Sequence, residues 1–163
     1  VGFDLEALLG RGSELRRWTR DLPSAVVCEL SGELGMVPLT GKLLGELRRR
    51  LGDEAARLDA GERHRAYPSA SMNEGIRRWC AHASALTPVA HVSTGEFGDV
   101  SYERVTLWVD GSAVLSGGGL QAVLRYFRDE AGLRLGDRPI DLEIHRGEDA
   151  AEKWAAAERG GAR

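Results

Sequence analysis

Pro88-Val-Ala-His-Val-Ser-Thr-Gly-Glu-Phe-Gly-Asp-Val-Ser-Tyr-Glu-Arg-Val-Thr-Leu-Trp-Val-Asp-Gly-Ser-Ala-Val-Leu-Ser-Gly-Gly-Gly119 reads as three β-type runs separated by turn signals. Val89 to Thr94 is the first run, Tyr102 to Val109 the second and Ala113 to Leu115 the third. In the second, Val105, Leu107 and Val109 alternate with Arg104, Thr106 and Trp108. A period of two marks a strand with one apolar face. Asp110-Gly111 follows, a pair that tolerates the positive φ angles of a type I′ hairpin. Gly95 to Ser101 reads as a longer loop between the first two runs. The stretch therefore predicts an antiparallel three-stranded meander over about 88–116, with one face to be covered by the rest of the chain.

Outward from this meander the chain alternates short helices and strands. Phe3 to Leu22 reads as a broken helix: Leu5, Leu8 and Leu9 form one turn of stripe, Gly10-Arg11-Gly12 interrupts it, and Ser13 can cap a second piece. Ser24 to Leu30 is a strand candidate, and Met36 to Leu39 a short one whose Pro38 suits an edge or an exit. Thr40 caps a helix carrying Leu43, Leu44, Leu47 and Leu51, with Gly52 at its end. Asp53 can start a further short helix, and Asp59 to Ala70 reads as a loop. Ser71-Met-Asn-Glu74 is a capping box. Behind it Met72, Ile76, Trp79, Cys80, Ala83 and Leu86 predict one buried stripe. After the meander, Leu120, Val123, Leu124, Phe127 and Ala131 predict a helix closed by Gly132. Ile140, Leu142 and Ile144 alternate like a strand, and Glu148 to Glu158 reads as a helix anchored by Trp154. The whole predicts one α+β domain over residues 1–163, with an antiparallel or mixed sheet and helices mainly on one face. Gly160 to Arg163 is expected to fray.

Composition narrows the function classes. The 163 residues are 42% hydrophobic and 29% charged, the balance of an ordinary globular chain. Net charge is −3, which argues against general nucleic-acid binding. No apolar run approaches the roughly 18 residues of a membrane span, and no basic-then-apolar leader is evident. Cys28 and Cys80 could pair, but two cysteines make no disulfide framework in a chain of this size, so two reduced thiols in a cytoplasm are expected.

Several residue groups could carry chemistry. Ser116 to Ala122 joins a strand to a helix; Gly117, Gly119 and Ala122 fit a loose G-x-G-x-x-[G/A] pattern, which makes the turn Gly117, Gly118 and Gly119 a candidate anion site. The same glycines equally make an ordinary flexible turn. Glu96, Asp99 and Glu103 flank the meander loop, with His91 on the neighbouring strand as a possible base. Loop carboxylates are more commonly just solvated. Cys80-Ala-His82 suggests a nucleophile and base, but residues two apart on a helix point away from each other. Two cysteines and four histidines show no paired metal-ligand spacing, and no cofactor is expected. Arg48-Arg49-Arg50 and Arg77-Arg78 are basic spots on helices. Tyr102, Arg104 and Trp108 share a strand face, and exposed they would have the composition of an interface hot spot for a protein partner or a second copy. Covered by N-terminal segments, they would be core.

The order of these features also resembles a known group. Phe3-Asp-Leu-Glu-Ala-Leu-Leu-Gly10, Leu22-Pro-Ser-Ala-Val-Val27, Met36-Val-Pro-Leu-Thr40, Pro88-Val-Ala-His-Val92 and Leu107-Trp-Val-Asp-Gly111 resemble small uncharacterised proteins of GC-rich actinobacteria. The resemblance covers most of residues 3–116 and departs from the group in the hairpin Gly95-Glu-Phe-Gly98. It implies a shared fold and no activity. The expectation from the residues, with no convergent catalytic set, an acidic balance and the Trp108 face, is a small non-enzymatic binding module of inhibitor or immunity type. The alternative is an enzyme or anionic-ligand binder using the Gly117–Gly119 turn.

Overall fold

A computed structural model describes residues 3–51 and 74–160. The capping box at Ser71 to Glu74, the short helix after Asp53 and the loop of residues 59–70 fall wholly or partly outside these residues. The strands are β1 (Phe3–Arg11), β2 (Cys28–Ser31), β3 (Leu34–Pro38), β4 (Val89–Phe97), β5 (Val100–Val109) and β6 (Ser112–Gly118). They form one sheet in the order β2-β3-β1-β4-β5-β6, with every neighbouring pair antiparallel. The helices are α1 (Gly12–Trp18), α2 (Gly41–Leu51), α3 (Glu74–Ala83), α4 (Leu120–Asp129) and α5 (Ala150–Gly160). The fold is α+β, an antiparallel sheet packed against helices.

The meander forms where the alternation placed it. Asp110 and Gly111 turn with φ of 50° and 84°, the two positive values a type I′ hairpin needs. The expected loop between its first two strands is tighter than Gly95 to Ser101. Strand β4 runs on to Phe97, β5 begins at Val100, and only Gly98 and Asp99 turn between them.

The main departure lies at the start of the chain. Phe3 to Arg11 is no helix but the central strand, hydrogen-bonded to β3 on one side and β4 on the other. Its leucines fit both periods: Leu5, Leu8 and Leu9 make a helical turn, while Phe3, Leu5, Ala7 and Leu9 alternate. Pairing on both edges supplies the backbone hydrogen bonds that an isolated helix would otherwise offer, and the strand wins. Ser13 is not a cap; Arg11 precedes the first turn of α1 without a side-chain cap. Pro38 is the last residue of β3, paired with Ala7, so the proline serves as an exit from an interior strand.

Helices expected mainly on one face divide between both. Phe3, Leu5, Ala7 and Leu9 meet α4 and α5 through Val123, Phe127, Ala150 and Ala151. From the opposite face Leu8, Val37, Val89 and Trp108 meet α1, α2 and α3 through Leu15, Leu43, Ile76 and Cys80. The cause is that the central strands carry large apolar side chains in both directions. Burying each is worth about 1.5–3 kcal/mol, so both faces need a cover. Thr40 caps α2 as expected, its Oγ1 accepting from the Leu43 N–H at 3.1 Å.

The expected strand at Ile140 to His145 does not join the sheet. Leu142 to Ile144 form a single 3₁₀ turn, with Leu142 buried and Ile144 64% exposed. The Asp141 carboxylate accepts from the Glu143 N–H at 2.9 Å and closes the turn locally.

Candidate functional site

On the face covered by α1, α2 and α3, the three central strands β1, β4 and β5 form four rungs. Gly10, Val89 and Trp108 make one; Leu8, His91 and Thr106 the next; Glu6, Ser93 and Arg104 the third; Asp4, Gly95 and Tyr102 the last. The first rung is apolar and lies under the helices. The others carry His91, Thr106, Glu6, Ser93, Arg104, Asp4 and Tyr102.

Gly95 shapes the last rung. With no Cβ between them, Tyr102 leans across β4 and donates its hydroxyl to Asp4 Oδ1 at 2.7 Å. A Cβ on Gly95 would lie 2.6 Å from that hydroxyl. Burial raises the Asp4 carboxyl above its ordinary 3.8; the tyrosine hydrogen bond opposes the rise, and Glu6 and Glu148 add to it. Burial also raises the Tyr102 phenol, helped by its hydrogen bond to Asp4.

The second and third rungs hold His91 and Glu6. His91 Nε2 stands 3.7 Å from Glu6 Oε2, and the imidazole is 3% exposed. An imidazole beside a carboxylate is the base-and-orienter half of many hydrolytic sites. The contact is an ion-pair distance rather than a hydrogen bond. Ser93, the nearest hydroxyl on the strand, is two residues along, about 7 Å in backbone rise. Ser93 Oγ lies within reach of the Tyr102 hydroxyl, but among the described residues neither it nor His91 Nε2 has a partner that meets hydrogen-bond geometry. The rungs therefore make a polar cluster buried at His91 and Ser93 and open at Arg104, and among the described residues no hydroxyl is hydrogen-bonded to His91 Nε2.

A raised carboxyl gives a pH test. Between the ordinary and the raised value the folded state binds more protons than the unfolded one, so stability rises as pH falls. The Asp4 contribution is most unfavourable above its raised value and vanishes below about 4. Asn at this position keeps an acceptor for Tyr102 and carries no charge. Denaturation midpoints measured from pH 4 to pH 8 should show Asp4→Asn losing less stability than the wild type as pH rises. Parallel curves would mean that Asp4 does not titrate abnormally.

The structure separates most other sequence candidates. Glu96 points to the opposite face from His91 and pairs with Arg146 at 2.7 Å. Asp99 is exposed in the tight turn. Glu103 closes the glycine turn instead of joining His91. Gly117 and Gly118 belong to β6, Gly119 precedes α4, and the Leu120 N–H donates to Glu103 Oε2 at 3.1 Å. A carboxylate of the chain itself thus stands where an anion was expected.

The interface strip is also divided. Arg104 is exposed, Tyr102 is half-buried on Asp4, and Trp108 is 4% exposed in the core beneath α3. The reason is the two-sided cover of the sheet. The thiols are free and buried, Cys80 among the helices of this face. Burial pushes Cys28 up to about 12 and raises Cys80 as well, so neither is an activated nucleophile. His82 faces solvent on α3. Among the described residues no group of three His, Cys, Asp or Glu side chains could hold a metal ion.

One surface feature escaped the sequence reading. Helix α3 stops at Ala83, before the end of the expected stripe, and Leu86 falls in the following turn with 76% of its surface exposed. It flanks a depression of about 180 Å³ lined also by Glu14, Arg17, Trp18, Arg20, Ala83 and Thr87. Trp18 is held rigid there by stacking on Trp79, with ring centroids 4.0 Å apart. Arg17 pairs with Glu14 at 3.5 Å, whereas Arg20 is exposed. The signal in the sequence was the Thr87-Pro88 step, because the residues before a proline tend to leave the helix. No protein family, curated protein or solved structure matches the chain.

Proposed function

We propose that the chain is a small non-enzymatic protein-binding module, of inhibitor or immunity type, working in a bacterial cytoplasm. Its docking surface is the depression between α1 and the turn after α3. The observation that carries this reading is Leu86, a large apolar side chain left 76% exposed beside a stacked tryptophan and the exposed Arg20. Trp and Arg beside a small hollow are the composition of interface hot spots, and Leu86 adds exposed apolar surface next to them. The partner's chemistry follows from charge. The segments 12–21, 41–51 and 74–83 on this side carry nine basic residues against four acidic ones, although the chain is acidic overall. An acidic protein surface offering one apolar side chain fits that combination. The buried thiols, raised by burial, favour a binding role over cysteine catalysis. No helix among the described residues is long and apolar enough to cross a membrane.

The test is affinity capture from host lysate, with light scattering of the eluted complex to tell a foreign partner from a second copy. Leu86→Asp and Arg20→Glu should each lower the retained partner at least tenfold. Both positions are exposed, so stability should stay within about 0.5 kcal/mol of wild type. A partner retained equally by both variants would remove this surface from consideration.

A further inference from the structure

A second open cleft lies on the other side of the sheet from the docking depression. It has a volume of about 330 Å³ and runs between α4 and the segment of residues 135–140. That is the lower end of the size range for small-molecule sites. Gln121, Arg125 and Arg128 stand at i, i+4 and i+7 on α4, so one helix stripe forms one wall. Arg138 and Pro139 belong to the other wall, and Leu124, Leu135 and Ile140 extend the core into the cleft.

We propose that this cleft binds a phosphate monoester with an apolar body. Three guanidinium groups surround it, and they differ in what already holds them. Arg128 is bound through Nε and Nη2 to Asp129, at 2.9 and 3.3 Å. Arg125 and Arg138 make no hydrogen bond or ion pair among the described residues. Of three nearby carboxylates, two are already engaged. Asp129 holds Arg128, and Glu33 accepts from Arg11 at 2.9 Å and from the Arg134 N–H at 2.7 Å. Asp137 adjoins Arg138 in sequence and is exposed. Ser31 Oγ accepts the Gly136 N–H at 2.7 Å, so its own proton stays available to donate into the cleft.

The head group follows from this donor set. Guanidinium forks on opposite walls suit a tetrahedral dianion, whose oxygens can accept from two directions at once, better than a planar carboxylate. The apolar surface of Leu124, Leu135, Pro139 and Ile140 gives the body of the ligand a place that water fills poorly. Inorganic phosphate meets only the first of these conditions.

Isothermal titration of the full chain at low ionic strength tests the proposal with phenyl phosphate, benzoate and inorganic phosphate as probes. Phenyl phosphate is expected to bind saturably at one site and at least tenfold more tightly than either of the others. Arg125→Ala and Arg138→Ala should each weaken it at least tenfold, while Arg49→Ala and Leu86→Asp leave it unchanged. All four positions are exposed, and circular dichroism should be the same throughout. Absence of saturable binding, or equal binding by the Arg125 and Arg138 variants, would overturn the site. Benzoate binding as tightly as phenyl phosphate would overturn the phosphate assignment, and inorganic phosphate doing so would overturn the apolar body. Because Leu86→Asp reports separately, failure here leaves the docking surface untouched.

Discussion

Trp108→Ala is expected to destabilise the protein by about 3–5 kcal/mol, the range for removing a fully buried tryptophan. The indole is 4% exposed and sits against Leu8, Val89, Ile76 and Cys80 in the layer under α3. Removing it leaves a cavity that strand β5 cannot close, because its backbone is paired on both sides to β4 and β6. A domain of ordinary stability, about 5–15 kcal/mol, would lose a large part of its margin. Urea denaturation followed by circular dichroism measures this directly. The midpoint should fall sharply while the slope stays constant. A midpoint within the error of wild type would put the indole at the surface. The same experiment separates core from interface, since an exposed hot-spot tryptophan would change binding and leave stability alone.

Gly95→Ala should cost about 3 kcal/mol or more, a large effect for the addition of one methyl group. The new Cβ would stand 2.4 Å from the Phe3 carbonyl oxygen and 2.6 Å from the Tyr102 hydroxyl. The tyrosine could swing away, but the carbonyl belongs to the central strand and cannot. Overpacking of this kind costs about 1–3 kcal/mol. Displacing Tyr102 adds the loss of its bond to the half-buried Asp4, about 1–3 kcal/mol more. Comparison with Tyr102→Phe divides the two contributions. Tyr102→Phe should lose only the hydrogen-bond part, and Gly95→Ala in the Tyr102→Phe background only the clash. Gly95→Ala with wild-type stability would show that β1 and β4 can separate at this rung.

Legibility varied with the kind of signal. The meander was readable because its signals are local. Alternation over Val105 to Val109 and the Asp110-Gly111 pair act within a few residues of themselves. Helices α2 and α4 were readable for the same reason, through leucine spacing and Thr40. The candidate site was readable only in part. His91 and Tyr102 stood out, but their partners Glu6 and Asp4 lay in a segment whose leucines suggested a helix. Nothing local says that Gly95 opens a path from Tyr102 to Asp4. Glu103 looked like a free loop carboxylate because its partner, the Leu120 N–H, is 17 residues away.

The sequence by itself determined an α+β chain with an antiparallel meander over about 88–116, amphipathic helices around it and two thiols outside any disulfide framework. Patterns of period 2 and 3.6 and turn residues with special φ angles carry that much, since their energies are settled between near neighbours. The tertiary structure alone decided that Phe3 to Arg11 is the central strand, that Ile140 to His145 is not a strand, and that Trp108 is core while Leu86 is surface. Each of these depends on which edge or face a distant segment covers. A leucine or tryptophan gains the same burial energy from any neighbour, so its pattern cannot name the one it meets.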